Sequence, residues 1–172
     1  LAARRDPVGL VATISAVLLG LIALIAPLLP LSDPAALVGT GQLHPSAAHL
    51  LGTDQLGRDV LSRTVYGARH TLVTAVLSTA LAAAIGIPLG VLAGYLYRWQ
   101  SSAVMRVMDI LLAFPGLLLA LVIVTVLGPG VTTVVVAVAI SYIPIFARVA
   151  YGPTKSVRAQ DYISAAKVVG CR

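Results

Sequence analysis

The residues of this chain that could do chemistry are few. It contains three histidines, His44, His49 and His70, and a single cysteine, Cys171. The histidines lack the i, i+4 spacing by which one helix presents two metal ligands, and the sequence arranges no acidic partner around them. A single cysteine excludes an internal disulfide framework. We therefore expect neither a metal site nor a cofactor.

Catalytic and nucleotide-binding patterns are also missing from the sequence. No histidine lies within an apolar segment, so the nucleophile–base pair of an intramembrane protease cannot be assembled. The string FARVAYGPTKS (146–156) lacks the G-x-x-x-x-G-K-[ST] spacing of a phosphate loop, and no strand precedes it. The sequence therefore predicts neither an enzyme nor a nucleotide-binding chain.

Most of the chain consists of long apolar segments that lie outside these residues. Hydrophobic residues make up 59% of the chain and charged residues only 10%, which excludes an ordinary water-soluble domain. A hydrocarbon core of about 30 Å requires about 20 apolar residues per helix. Four stretches meet that requirement: roughly Val8–Leu29, Leu72–Tyr97, Val104–Leu127 and Val131–Tyr151. The predicted fold is all-α, a polytopic transmembrane helical bundle that forms a single domain over residues 1–172.

The basic charge follows the predicted membrane topology. With a cytoplasmic N-terminus, four spans place both termini and the turn at 98–103 inside. Nine of the twelve basic residues then lie inside: Arg4, Arg5, Arg98, Arg106, Arg148, Lys155, Arg158, Lys167 and Arg172. Only Arg58, Arg63 and Arg69 lie outside. This positive-inside bias predicts the orientation, and it accounts for the net charge of +6 without a nucleic-acid partner.

The segment LGTDQLGRDVLSRTVYGARHT (51–71) alternates apolar and polar residues at helical spacing. Thr53 or Asp54 can cap a helix by accepting its first free N–H groups. The face opposite the apolar stripe carries Arg58, Asp59, Ser62, Arg63 and Arg69. The pattern predicts an amphipathic helix over 53–70, at the outer membrane surface or across the mouth of a bundle. Periodicity alone leaves open a plain lead-in to the second span.

Two further spans carry distinctive residues. Gly86, Gly90 and Gly94 lie on one face of the second span and predict close approach of another helix. In the third span Arg106 and Asp109 are three apart, so we expect them to form an ion pair near the helix entry. Pro115 then predicts a kink in mid-membrane, which is tolerated only against protein or a cavity.

The last segment is more polar than the spans and is expected to be a cytoplasmic helix. Ser156 is a suitable N-cap, and Gly170 suits the left-handed residue that ends a helix. Ala165 and Ala166 permit close contact with a groove on a partner. A helix of about thirteen residues is marginal alone in water. We therefore predict that it docks on another protein.

Four strings of the sequence together look like one protein family. They are HLLGTDQLGRDVLSRTVYGAR, MRVMDILLAFPGLLLALV, VLGPGV and DYISAAKVVG. In this order they resemble the permease subunits of bacterial ABC importers for dipeptides and oligopeptides. The match is to the C-type of the two paired permeases, a group with nickel and glutathione relatives. The resemblance extends from Arg4 to Arg172.

The resemblance implies that the terminal helix is the coupling helix, which carries an E-A-A-x-x-x-G motif and sits in a cleft of the ATPase. The implied docking residues are Asp161, Tyr162, Ile163, Ser164, Ala165, Ala166 and Gly170. Ser164 stands where the motif has glutamate, which removes a charge that could engage the ATPase. The family pattern continues for two more spans after Arg172, so we expect about four of six spans here.

The resemblance also implies a set of partners and a location. These are a second permease subunit, two cytoplasmic ATP-binding subunits, and an extracytoplasmic substrate-binding protein that docks near the outer helix at 53–70. The implied location is the bacterial plasma (inner) membrane, and peptide is the implied substrate class. Two alternatives stay open: a non-transporting membrane remnant, and a secondary transporter or channel. The latter would call for ionisable relays or inverted repeats, and neither is visible in the sequence.

Overall fold

The computed structural model describes residues 7–170, apart from the side chains of Ser164 and Lys167. Six α-helices form this part of the chain: α1 Pro7–Ile25, α2 Val60–Tyr95, α3 Arg98–Ala113, α4 Gly116–Leu127, α5 Val131–Arg158 and α6 Asp161–Val168. A 3-10 turn, Ala26–Leu28, follows α1. The described residues contain no strand, only an isolated bridge between Thr53 and Asp59. The predicted all-α class is confirmed.

Within residues 7–170, three helical segments are long and apolar enough to cross a membrane: Pro7–Leu28, Val60–Tyr95 and Val131–Arg158. A fourth crossing exists if α3 and α4, which meet at 88°, form one bent span. The predicted third span is therefore not one helix. Phe114 and Pro115 are extended between the two halves. Proline lacks an N–H and disfavours helical backbone in the preceding residue, so the break falls where Pro115 predicted a kink.

The chain divides into two compact units, residues 1–73 and 74–172. In the first unit, the segment between α1 and α2 folds on itself without regular structure. The hydroxyl of Thr53 donates to the Thr40 carbonyl at 2.8 Å and accepts from the Leu43 N–H at 2.9 Å. Gly52 has a φ of +73°, and a side chain there would overlap the Leu43 carbonyl. These contacts hold the loop on itself, and the Val60 N–H, which donates to the Gly52 carbonyl at 3.1 Å, joins the loop to the start of α2.

The second unit packs small residues at the helix contacts. Its buried core contains Ala82 of α2, Met108 of α3 and three residues of α5, namely Ala139, Ile143 and Ala147. The face with Gly86, Gly90 and Gly94 lies directly against α5. A Cβ at Gly86 would lie 2.6 Å from the Ile143 carbonyl oxygen, and one at Gly90 would overlap the Ala147 carbonyl. The close helix approach predicted from these glycines is confirmed.

Candidate functional site

The predicted outer amphipathic helix is wrong in its extent. Residues 53–59 form a turn, and the helix begins only at Val60 and continues unbroken to Tyr95. Asp54 does not cap a helix: its carboxylate accepts the N–H groups of Leu56 and Arg58 at 2.8 and 3.0 Å, which closes the turn on itself. The Arg58 N–H is the largest influence that lowers the pKa of Asp54.

Asp59, rather than Thr53 or Asp54, caps α2. Its Oδ1 accepts the N–H of Ser62 at 2.8 Å, three residues into the helix, and its Oδ2 lies 2.9 Å from Nδ1 of His49. The Ser62 hydrogen bond is the main cause that lowers the pKa of Asp59. The expectation that the histidines have no acidic partner is therefore wrong for His49.

Of the four residues assigned to the outer helix, only Arg63 is helical, and Asp54, Arg58 and Asp59 lie in the preceding turn. The structure nevertheless brings the four together at one end of α2. Arg63 Nε lies 3.6 Å from the Asp54 carboxylate. Arg58 Nε is buried and has no hydrogen-bond partner among the described residues. The result is a rigid polar turn on the loop of the first unit.

The predicted ion pair between Arg106 and Asp109 is also wrong. Asp109 accepts a hydrogen bond from Arg148 Nη2 at 2.5 Å, and both side chains are half exposed. The pair joins α3 to α5 across 39 residues of sequence. The i, i+3 spacing that suggested Arg106 gives no information on a partner from another helix, and this explains the error.

The helix after the last span is shorter than predicted. Ser156 is not an N-cap, because α5 continues through it to Arg158. Ala159 and Gln160 then form a tight joint in which their N–H groups donate to the Ser156 and Val157 carbonyls at 3.2 and 3.1 Å. The terminal helix α6 is the eight residues Asp161–Val168.

The surface of α6 is largely unpacked within the described chain. Asp161, Tyr162 and Ala165 are exposed, and Ile163 and Ala166 are half-buried. Val168 and Val169 are 88% and 83% exposed. Gly170 has the left-handed φ of +92° that was predicted for the residue ending this helix. The side chain of Ser164 lies outside the described part of the structure.

The base of α6 is tied to the end of the second span. Arg158, the last residue of α5, donates from Nη1 to the Leu96 carbonyl at 2.8 Å and lies over the Tyr95 ring at 5.7 Å. Ile163 faces a recess of about 300 Å³ that Tyr95, Val157 and Arg158 help to line. The ends of α2, α5 and α6 therefore meet at one place.

The described helices around the end of α5 offer surfaces for contact with another protein. Within the described residues, no group of three or more His, Cys, Asp or Glu side chains is placed to hold a metal ion. The geometry provides a continuous helix, α5, followed by a short joint and a small helix that leaves Tyr162 and Val168 exposed.

Comparison with known proteins agrees with this arrangement. Residues 86–172 match the family described as binding-protein-dependent transport system inner membrane component. The match includes the glycine face of α2, the bent pair α3–α4, the whole of α5 and α6.

Individual relatives are transport permeases. The chain is 42% identical over 153 residues to the dipeptide transport system permease protein DppC of Alkalihalophilus pseudofirmus, covering 88% of this chain and 50% of that protein. It is 46% identical over 126 residues to the glutathione transport system permease protein GsiD of Pectobacterium atrosepticum, covering 73% and 42%. It is 37% identical over 168 residues to the probable D,D-dipeptide transport system permease protein DdpC of Escherichia coli, covering 97% and 56%. The chain thus spans about half the length of these relatives.

Proposed function

Because this chain belongs to the family of binding-protein-dependent transport system inner membrane components, we propose that it acts as a permease subunit of an ATP-driven bacterial importer. Its long apolar helices make it a multi-pass inner membrane protein. Peptides are the proposed substrate class, because relatives are named for dipeptide and glutathione transport. ATP hydrolysis belongs to separate subunits, and this chain has no catalytic role.

The exposed surface of α6 is the observation that carries this proposal. A helix of eight residues has little stability of its own. Yet Tyr162 and Val168 of α6, and Val169 after it, are exposed, and Ala165 is exposed among the described residues. A groove on a cytoplasmic ATP-binding subunit would bury these apolar side chains, and the small Ala165 would allow the two backbones to approach closely.

In the proposed coupling, movement passes from α6 to α5 through the short joint between them. The span and its cytoplasmic extension form one continuous helix of 28 residues, with Pro144 and Pro153 inside it, so movement at the α6 end is transmitted along a helix rather than a flexible linker. The bond from Arg158 to Leu96 includes the end of α2 in the same movement. Such rigid-body gating requires that the ATPase bind α6 with different free energy in the two transport states.

The remaining partners follow from the same family assignment. We propose a second permease subunit beside this one, two ATP-binding subunits at α6, and an extracytoplasmic substrate-binding protein. The rigid turn with Asp54 and Arg58 is the proposed contact for the binding protein, since the proposed topology places it on the outer face. The N-terminus is then cytoplasmic.

A cysteine crosslink tests the docking of α6. In a Cys171→Ser background, Ala165→Cys is paired with cysteines along the cleft of the cognate ATP-binding subunit, and crosslinking is measured with and without a non-hydrolysable nucleotide. We expect a crosslink whose yield changes with nucleotide. Ala47→Cys, on the loop of the first unit, is the matched control and should give none. Absence of an Ala165→Cys crosslink in every nucleotide state would contradict the proposal.

A further inference from the structure

A second feature of the α2–α5 end is a large basic recess. Its volume is about 850 Å³, and it lies among the end of α2, the first three turns of α3 and the last half of α5. Among the described residues, Asp109 is the single acidic side chain that lines it, and four cationic side chains do so: Arg98, Arg148, Lys155 and Arg158. The lining therefore carries an excess of three positive charges.

Two of these cations are already compensated within the chain. Arg148 pairs with Asp109, and Arg158 donates to the Leu96 carbonyl. Arg98 is exposed and makes no ion pair with any described residue. The Lys155 ammonium lies 5.5 Å from the centre of the Tyr151 ring, a contact that positions the charge without neutralising it. Arg98 and Lys155 thus present uncompensated charge from two different helices.

The start of α3 adds to the positive electrostatic potential of the recess. The helix begins at Arg98, and Tyr97 before it makes no side-chain cap. The first turn contains no acidic residue. Its free N–H groups and the helix dipole therefore favour an anion at the same end of the recess.

The aromatic residues around the recess place it at the membrane–water boundary. Tyr95, Tyr97 and Trp99 flank Arg98 and are 59%, 76% and 74% exposed. Exposed tryptophan and tyrosine beside arginine and lysine are typical of the level of the lipid headgroups. A recess with excess positive charge at this level is suited to the phosphate of an anionic lipid.

We propose that the recess binds the phosphate-bearing headgroup of an anionic phospholipid, with Arg98 and Lys155 as its direct contacts. The site goes beyond the transport function and does not rest on it, since it requires only that the chain be inserted in a bilayer. Tyr151 and the Asp109–Arg148 pair shape the recess and hold its two walls together.

Trp99 provides the probe, because it is the only tryptophan of the chain. The full chain is reconstituted in phosphatidylcholine vesicles that contain a minor fraction of a lipid with brominated acyl chains, which quench tryptophan on contact. We expect brominated phosphatidylglycerol to quench Trp99 more strongly than brominated phosphatidylcholine at the same fraction. Equal quenching by the two lipids would overturn the proposal.

Substitutions identify the contacts. Arg98→Gln and Lys155→Gln should each weaken the apparent affinity for brominated phosphatidylglycerol by about fivefold, the usual effect of one basic side chain near an anionic surface. Lys155→Arg keeps the charge and should keep the lipid preference. Arg69→Gln removes the same charge at the other end of α2 and is the matched control. A loss of preference with Arg69→Gln equal to that with Lys155→Gln would refute the site.

A last arm separates lipid from soluble phosphate. Inorganic phosphate is added to the same vesicles at constant ionic strength, with chloride as the reference anion. We expect no change in the quenching by brominated phosphatidylglycerol. Displacement of the lipid by phosphate at millimolar concentration would assign the recess to a soluble anion instead. Circular dichroism of each variant checks that its helices are intact.

Discussion

At the scale of residues, one carboxylate does most to fix the outer turn. Asp59 is 6% exposed, and its two oxygens serve different partners, the Ser62 N–H and the His49 ring. The first contact satisfies one of the free N–H groups at the start of α2, and the second ties the helix to the preceding loop. Removing the side chain therefore affects a helix end and a loop contact together.

Two substitutions at Asp59 separate these contacts. Asp59→Ala loses both, and the missing cap alone should cost about 1 kcal/mol of stability. Asp59→Asn retains a good N-cap but loses the charge beside His49, so it should be the milder change. Thermal unfolding in detergent measures both variants, and Asp33→Ala, in the exposed part of the same loop, is the control. Equal losses for Asp59→Ala and Asp59→Asn would show that the cap is unimportant.

The same carboxylate predicts how the outer turn responds to acid. Hydrogen bonds, chiefly from the Ser62 N–H, lower the pKa of Asp59 below its ordinary value of 3.8. A group whose folded pKa is lowered stabilises the fold above its unfolded pKa, and this contribution is lost as the pH falls through the folded pKa. Protection of the Ser62 amide from hydrogen exchange, corrected for the intrinsic rate, should therefore be constant near neutrality and decrease below about pH 4. Asp59→Asn should show no such decrease.

At the scale of elements, the sequence predicted positions along the chain better than partners across it. The helix class, the glycine face and the break at Pro115 follow from local rules, because backbone sterics and small side chains act within a few residues. The start of α2 could not be predicted from local rules, since Thr53, Asp54 and Asp59 are all acceptable caps. The choice depends on bonds such as Thr53 to Thr40, thirteen residues away. The pairing of Asp109 with Arg148 could not be predicted for the same reason, because the two residues are 39 positions apart in the sequence.

The glycine face gives a test of helix packing. A Cβ at Gly90 would overlap the backbone carbonyl of Ala147, so α2 and α5 must separate to admit it. We expect Gly90→Ala to destabilise the second unit by about 1–3 kcal/mol, the usual cost of overpacking. Gly152→Ala is the matched control, because nothing lies within 4 Å of a Cβ there. That variant should be neutral or stabilising by up to about 1 kcal/mol, since alanine is the better helix former.

The midpoint of unfolding, measured while the concentration of a denaturing detergent is increased, distinguishes the two glycine variants. A midpoint for Gly90→Ala equal to that of the unmodified chain would mean that α2 and α5 are not in close contact in the membrane. A loss for Gly152→Ala as large as that for Gly90→Ala would attribute the effect to flexibility of the helices rather than to their packing.

At the scale of the whole molecule, the bent pair α3–α4 decides the topology. Counted as one crossing, it gives four spans and returns α6 to the side of the N-terminus, as the positive-inside bias favours. If the pair does not cross, three spans remain, and α6 lies on the side of the loop between α1 and α2. With the proposed cytoplasmic N-terminus, only the first arrangement lets α6 meet the proposed cytoplasmic ATP-binding subunits.

Single cysteines in a Cys171→Ser background distinguish four spans from three. Ala47→Cys marks the first loop, Pro129→Cys the turn between α4 and α5, and Ala165→Cys the terminal helix; all three positions are exposed. With four spans, a membrane-impermeant maleimide should label Ala47→Cys and Pro129→Cys in intact cells and Ala165→Cys only after permeabilisation. With three, Ala165→Cys would be labelled together with Ala47→Cys, and Pro129→Cys would be protected. The second outcome would exclude α6 as the proposed contact for an ATP-binding subunit, whatever the stability of the bundle.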